Sequence, residues 1–217
     1  MKTLFQLVPA NSKHPLSIWQ WVMREILIGG GRKRLQNQRV SILSNNCLGG
    51  MISHDLLQPQ LSPTVNLFMY PKDYIKFLSH LEECLRSEMH EVDVDYAYPV
   101  GELNGCQIHF MHYHSFDEAA RKWKERSKRI NYENLLVIFV ERDGCTYNDL
   151  LAFDKLPFKN KVAVVHKPYL EIKSALVFSG YEHSTEVGKI TDWASCLSGR
   201  KIYDKVDWIG ILNHMNL

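Results

Sequence analysis

Residues 40–57, VSILSNNCLGGMISHDLL, decide how the rest of the chain is read. A short apolar run ends in Ser44, Asn45, Asn46 and Cys47, and the pair Gly49-Gly50 follows. That is the pattern of a buried strand turning tightly into a helix. The first N–H groups of such a helix have no intrahelical partner, and its dipole favours negative charge. The stretch therefore predicts a site at the C-terminal end of a strand. Ser44, Asn45, Asn46, Gly49 and Gly50 are its expected substrate-binding groups, with the Cys47 thiol beside them.

The same reading extends outward. Leu135–Val140, LLVIFV, shows no polar alternation, which predicts a strand covered on both faces. Val162–Val165 reads likewise, Ala175–Phe178 as a further strand, and Asn66–Tyr70 and Gly105–Tyr113 as two more. Helices are predicted from Met51 to Leu57, from Pro71 to Leu85, after the Ser115/Glu118 capping box, from Tyr147 to Phe153, and in the tail around Val206–Leu212. Strands alternating with amphipathic helices predict an α/β fold, a three-layer α/β/α sandwich on a largely parallel, mixed sheet. Residues 39–217 are expected to form a single α/β domain, with residues 1–38 a helical extension packed on it. That extension holds a Trp-rich helix, residues 18–28, expected to end at Gly29–Gly31 before Arg32-Lys33-Arg34. Docking on the core is the preferred reading; the alternative is a peripheral contact with an anionic membrane surface.

Composition narrows the function. The 217 residues carry 26 Lys+Arg against 24 Asp+Glu, a formal net charge of +2, so nothing global selects nucleic acid as partner. Five cysteines without a CxxC pair argue against a zinc ribbon and against a disulfide framework, and point to a reducing cytoplasm. The start, MKTLFQLVPANSKHPLS, lacks the unbroken apolar stretch of a signal peptide, and no run reaches the roughly 20 apolar residues of a transmembrane segment. Gly29–Gly31 lacks the spacing of a phosphate loop, and the residues name no cofactor and no oligomeric state.

In a parallel sheet, ligands bind beyond the C-terminal ends of the strands. Those ends are expected to bring Asp73, His112, Tyr113, His114, Glu141, His166 and Lys167 to one rim with residues 44–47. His109 alternates with His112 and His114 along an extended chain, so three histidines cannot converge on a metal, and no metal site is predicted. His112 or His114 is the expected general base. Asp93-Val94-Asp95 reads as a solvated acidic loop rather than a cation pair. The basic helix after Ser115 offers Arg126 and Arg129, which fall nearest its apolar seam, to a phosphate. Cys47 is a candidate nucleophile, but His54, two helical turns along, would lie roughly 10 Å away. A distant histidine such as His112 would have to activate it.

SNNCLGG (44–50), SPTVNLFMYPKDYIKFL (62–78), HFMHYHSFDEAARKWKERSKRINYENL (109–135) and DKLPFKNKV (154–162) together resemble the bacterial domain-of-unknown-function family nineteen-nineteen, met among exopolysaccharide and capsule-biosynthesis proteins. The resemblance runs from about Arg39 to the C-terminus. It implies a three-layer α/β fold with a mixed sheet, and carries neither an activity nor catalytic residues. The function expected is a cytoplasmic transferase, glycosyl or acyl, acting on a sugar intermediate of exopolysaccharide or capsule synthesis, with a sugar or nucleotide-sugar as its partner. The alternatives are a non-catalytic carbohydrate-binding or scaffolding protein of that pathway, and a Cys47-dependent acyltransferase or hydrolase.

Overall fold

The computed structural model describes residues 15–195 and 197–215, the side chains of 15–17 excepted. The first fourteen residues and Cys196 lie outside the described residues. In chain order the elements begin with α1 (Pro15–Arg34), β1 (Ser41–Ser44), α2 (Leu48–Asp55), α3 (Pro71–Ser79) and α4 (Leu81–Arg86). Then come β2 (His90–Val92), β3 (Val100–Leu103), β4 (Cys106–His109) and α5 (Phe116–Ser127). The chain closes with β5 (Leu135–Val140), α6 (Tyr147–Asp154), β6 (Asn160–Val165), β7 (Ala175–Val177) and α7 (Trp208–Asn213).

Two sheets form. β1, β5, β6 and β7 make a four-stranded sheet in that order, parallel throughout. Side chains on successive residues point to opposite faces, so an all-apolar strand feeds two cores at once. Leu43, Val137, Phe139, Ala163 and Val165 enter one core with Tyr74 and Phe77 of α3, Trp123 of α5 and Phe153 of α6. Ile42, Leu136, Ile138, Val140 and Val164 enter the other, with Leu48 and Ile52 of α2 and with Val187, Ile190, Tyr203 and Trp208 from the C-terminal segment. Helices cover both faces, and this is the expected α/β sandwich.

The second sheet corrects part of the expectation. β2, β3 and β4 form a separate antiparallel meander, so the strand at 105–113 does not join the parallel sheet and ends at His109. Residues 66–70 contribute only a single bridge, Phe68 to His109, at the meander's edge. Short strands whose outward residues are His90, Glu102 and Gln107 carry too little apolar alternation to be read as a sheet. The helix expected over 71–85 breaks at His80 into α3 and α4.

Local chemistry sets the helix starts. Pro71 opens α3, Ser115 Oγ accepts the Glu118 amide at the start of α5, and Thr146 and Asp149 cap α6 reciprocally. α2 begins at Leu48, earlier than Met51, and lies close on β1: a Cβ on Gly49 would stand 2.9 Å from Ile42 Cγ2 and 3.1 Å from the Ile42 carbonyl oxygen.

Candidate functional site

At the end of β1 the polar residues turn inward. Asn45 is buried, its Nδ2 donating to the Val140 carbonyl at 3.0 Å and its Oδ1 accepting the Val140 amide at 2.9 Å. The side chain thus continues the β1–β5 ladder where the backbone has turned away, and both polar ends are engaged within the fold. Ser44 Oγ accepts the Gly49 amide at 3.1 Å and Asn46 Oδ1 the Leu48 amide at 3.0 Å, so two of the N–H groups at the start of α2 are capped internally. Gly49 and Gly50 serve the approach of α2 to Ile42 and Val65.

The ends of β5 and β6 differ. Here the first polar residue after each apolar run faces its neighbour across the ladder. Glu141 and His166 are both buried, and Glu141 Oε2 lies 2.7 Å from His166 Nδ1 while accepting the His166 main-chain N–H at 2.8 Å. Tyr169 donates its hydroxyl to Glu141 Oε1 at 2.6 Å. A buried carboxylate needs donors, and this one has them from two sides. With the His166 N–H and the Tyr169 O–H both donating to it, Glu141 is placed to act as acceptor, and an ionised Glu141 meets Nδ1 through a proton on Nδ1. His166 makes its hydrogen bonds through its main-chain N–H and Nδ1, and Nε2 makes none among the described residues. Burial, with Glu141 next to it, pushes the Tyr169 phenol well above its ordinary range. Lys167 Nζ lies 5.5 Å from the Tyr169 ring centre, and Tyr147 packs on the same ring at 5.7 Å. Burial also holds the neighbouring Cys145 thiol protonated, reinforced by Asp149, Glu141 and Glu186.

Toward β1 the rim is cationic. Arg142 makes a two-pronged ion pair with Asp143, Nε to Oδ2 at 2.9 Å and Nη2 to Oδ1 at 3.2 Å, and Asp143 takes φ 58° to turn back on it. Burial raises the Cys47 thiol, and the Arg142 charge offsets this only in part, so the helix start does not yield a thiolate. His54, expected as a distant neighbour, is exposed and sits beside Asp55 at the other end of α2. Arg126 donates to the Tyr113 hydroxyl at 2.6 Å and has no carboxylate partner among the described residues. Tyr113 in turn donates to the Val65 carbonyl at 2.9 Å, near enough to Cys47 for their charges to interact. Arg129 is half exposed, 4.0 Å from Glu125.

The three remaining expected residues are not strand-end groups of the parallel sheet. Asp73 lies in the first turn of α3, where it accepts the Gln107 amide at 3.1 Å and ties that helix to β4. His112 and His114 follow β4 in an exposed turn with no orienting partner among the described residues. His114 lines a cavity of about 700 Å³ with Glu91, Asp93, Tyr96, Tyr98 and Asp117. None of the three cavities described is lined by Cys47, Glu141 or His166. Among the described residues no group of three His, Cys, Asp or Glu side chains is placed to share a metal ion.

Between cavity and rim lies an aromatic surface. The buried His109 ring stacks on Phe68 at 4.5 Å and meets Tyr70, Tyr96 and Tyr98 edge-on. Burial lowers its pKa below the usual imidazole value, with Asp73 opposing, and neither ring nitrogen has a partner among the described residues. Tyr96 and Tyr98 stack at 5.2 Å, and Tyr70 and Tyr96 are exposed. Tyr70 is raised by burial, by Tyr96 and by Asp143, which brings this surface up to the rim.

A family model described as "Domain of unknown function (DUF1919)" matches residues 20–213. The chain is also similar to a Haemophilus influenzae protein described as "Uncharacterized protein", with 42% identity over 183 residues, which cover 84% of this chain and 88% of the relative.

Proposed function

The chain belongs to the DUF1919 family, and from the geometry of its rim we propose that it is a transferase that moves a glycosyl or acyl group onto a hydroxyl of a sugar intermediate. The observation that carries this reading is the buried Glu141–His166 pair at the C-terminal ends of adjacent parallel strands. A carboxylate that holds the proton on Nδ1 leaves the lone pair on Nε2 and fixes the ring, which is the arrangement of an oriented general base. His166 therefore takes the role expected of His112 or His114.

In the proposed step Nε2 accepts the proton of the acceptor hydroxyl. The oxygen's electron pair forms the new bond to the donor's anomeric or acyl carbon, and the leaving group departs with the electrons of the bond that breaks. Arg126, which lacks a carboxylate, is the group suited to a phosphate leaving group. What supports a sugar as acceptor is the tyrosine surface beside Asp143, since ring faces pack against the apolar C–H faces of pyranoses. Exopolysaccharide or capsule synthesis is the proposed setting, from the resemblance of the chain's segments, and the cytoplasm the proposed compartment.

Hydrogen exchange during titration with nucleotide sugars tests this. A donor should protect residues 141–147 and 166–170, and turnover should fail in His166→Ala while surviving in His112→Ala. Protection confined to the tyrosine surface, unchanged in His166→Ala, would favour the second reading, a non-catalytic carbohydrate-binding or scaffolding protein. Cys47-dependent acyl transfer is the weaker third reading, since burial holds that thiol protonated.

A further inference from the structure

Along residues 18–32 α1 turns its charged side chains inward and exposes apolar ones. Arg24 is buried among Asp55, Asp204 and Tyr203, and Arg32 binds Glu25 at 2.6 Å and the Asp55 carbonyl at 2.7 Å. On the outside Trp19 is 49% exposed, Ile26 67% and Leu27 39%. Trp19 and Ile26 are seven residues apart, so they stand almost in line two turns along the helix. Leu197, 63% exposed, joins them, because its carbonyl accepts the Trp19 indole N–H at 3.1 Å. Gly199 presses that loop on α1: its φ is 62°, and a Cβ there would stand 2.6 Å from Met23 Cβ. Helix and loop thus form one apolar ridge.

The ridge ends in cations. Lys33 and Arg34 are exposed, and Arg34, Arg200 and Lys205 line a cavity of about 410 Å³ beside Leu27. The carboxylates in that cavity's wall are already engaged. Asp55 and Asp204 hold Arg24, and Asp207 caps α7 through the Gly210 amide. On the loop, Asp192 faces the charge of Lys201.

We propose that this face lies on an anionic bilayer surface. Trp19, Ile26, Leu27 and Leu197 enter the headgroup region, and Lys33, Arg34 and Arg200 meet lipid phosphates. An indole is at home where one edge is apolar and the other wet, and basic side chains beside an apolar stripe gain from the negative potential of anionic lipid. Among the described residues no helix is long and apolar enough to cross a membrane, and α1 keeps its inner face on the core, as a helix lying in the interface does. A second copy of the chain suits the ridge less well, because the carboxylates around this cavity are engaged and leave little to answer the cations. This contact is independent of the rim chemistry proposed above.

Co-sedimentation of the full chain with vesicles tests it, using phosphatidylcholine alone and phosphatidylcholine mixed with phosphatidylglycerol. The protein should pellet with the mixture, weakly or not at all with phosphatidylcholine, and less as salt rises. Trp19→Glu with Ile26→Glu, and separately Lys33→Glu with Arg34→Glu, should each lower partitioning at least about tenfold without changing the circular dichroism spectrum. No pelleting with either vesicle, equal pelleting with both, or pelleting that neither pair of substitutions reduces would overturn the proposal. A doubled mass in light scattering, abolished by Ile26→Glu, would assign the ridge to a second copy instead.

Discussion

The carboxamide of Asn45 exchanges two hydrogen bonds with the backbone of Val140, at 3.0 and 2.9 Å, and so joins the edge strand β1 to β5 beyond their shared register. This side chain is a structural member before it is anything else. Asn45→Ala leaves a buried carbonyl and a buried amide without partners, and should lower unfolding free energy in urea by about 2–4 kcal/mol. Asn46→Ala, which loses only the contact to the Leu48 amide, should cost about 1 kcal/mol. Equal, small losses in both variants would show that the Asn45 bridge does not hold the strands.

The glycines separate into two kinds. At Gly49 an added methyl meets Ile42, both side chain and backbone, and α2 must lift from the sheet, so Gly49→Ala should cost about 1–3 kcal/mol. Gly29 and Gly30 lie within α1, where an added Cβ would meet nothing within 4 Å. Alanine at either should stabilise the protein by about 0.5–1 kcal/mol, because it restricts the unfolded chain and favours helix. Thermal midpoints of the three variants check the sign at each position.

Those glycines also show what the chain reveals of its fold and what it hides. The parallel sheet is legible because β5 is apolar at every position, as a doubly covered strand must be. The length of α1 is not, since Gly29–Gly31 reads as a break; the helix continues through it, with Gly31 fitted against Ile209, and a tertiary contact outweighs local preference. In the candidate site, Glu141 and His166 are legible as the first polar residues after buried runs. Tyr169 is not, because its role depends on the chain after Pro168 folding back over the end of β6. The placement of His112 and His114 is hidden for the opposite reason: apolar residues flank them, yet the strand stops at His109 and the chain turns, with the Tyr113 amide donating to the Phe110 carbonyl at 3.0 Å.

Arg24 links α1 to α2 and to the C-terminal segment through Asp55, Asp204 and Tyr203. Although burial alone would raise it, Asp55 is held down at about 2 by contacts with His54, Arg24 and Tyr203. A carboxylate depressed in the folded state contributes stability that is complete above its unfolded value near 4 and is lost as pH falls through about 2. That contribution is roughly 2 kcal/mol, so urea midpoints should drop between pH 4 and pH 2. In Arg24→Met the depression shrinks to what His54 and Tyr203 sustain: the variant should be weaker at neutral pH by about 3–5 kcal/mol and lose less than the parent on acidification. Parallel pH profiles for the two proteins would contradict this assignment.

His166 owes its orientation to Glu141, and the two can be separated by substitution. Glu141→Leu removes the oxygen that faces both the His166 main-chain N–H and Nδ1, so nothing in the fold then holds the proton on Nδ1, and a neutral imidazole left to itself favours Nε2–H. The proposed base would then present N–H instead of a lone pair at Nε2. If His166 takes the acceptor's proton, His166→Ala and Glu141→Leu should each reduce turnover by about 10²–10⁴-fold with little change in donor affinity. Tyr169→Phe should reduce it less, because Glu141 keeps both contacts to His166. The ring carbons of His166, followed by NMR, should report a change of tautomer in Glu141→Leu even before any substrate is identified. A variant that keeps the Nδ1–H tautomer would detach Glu141 from the orienting role.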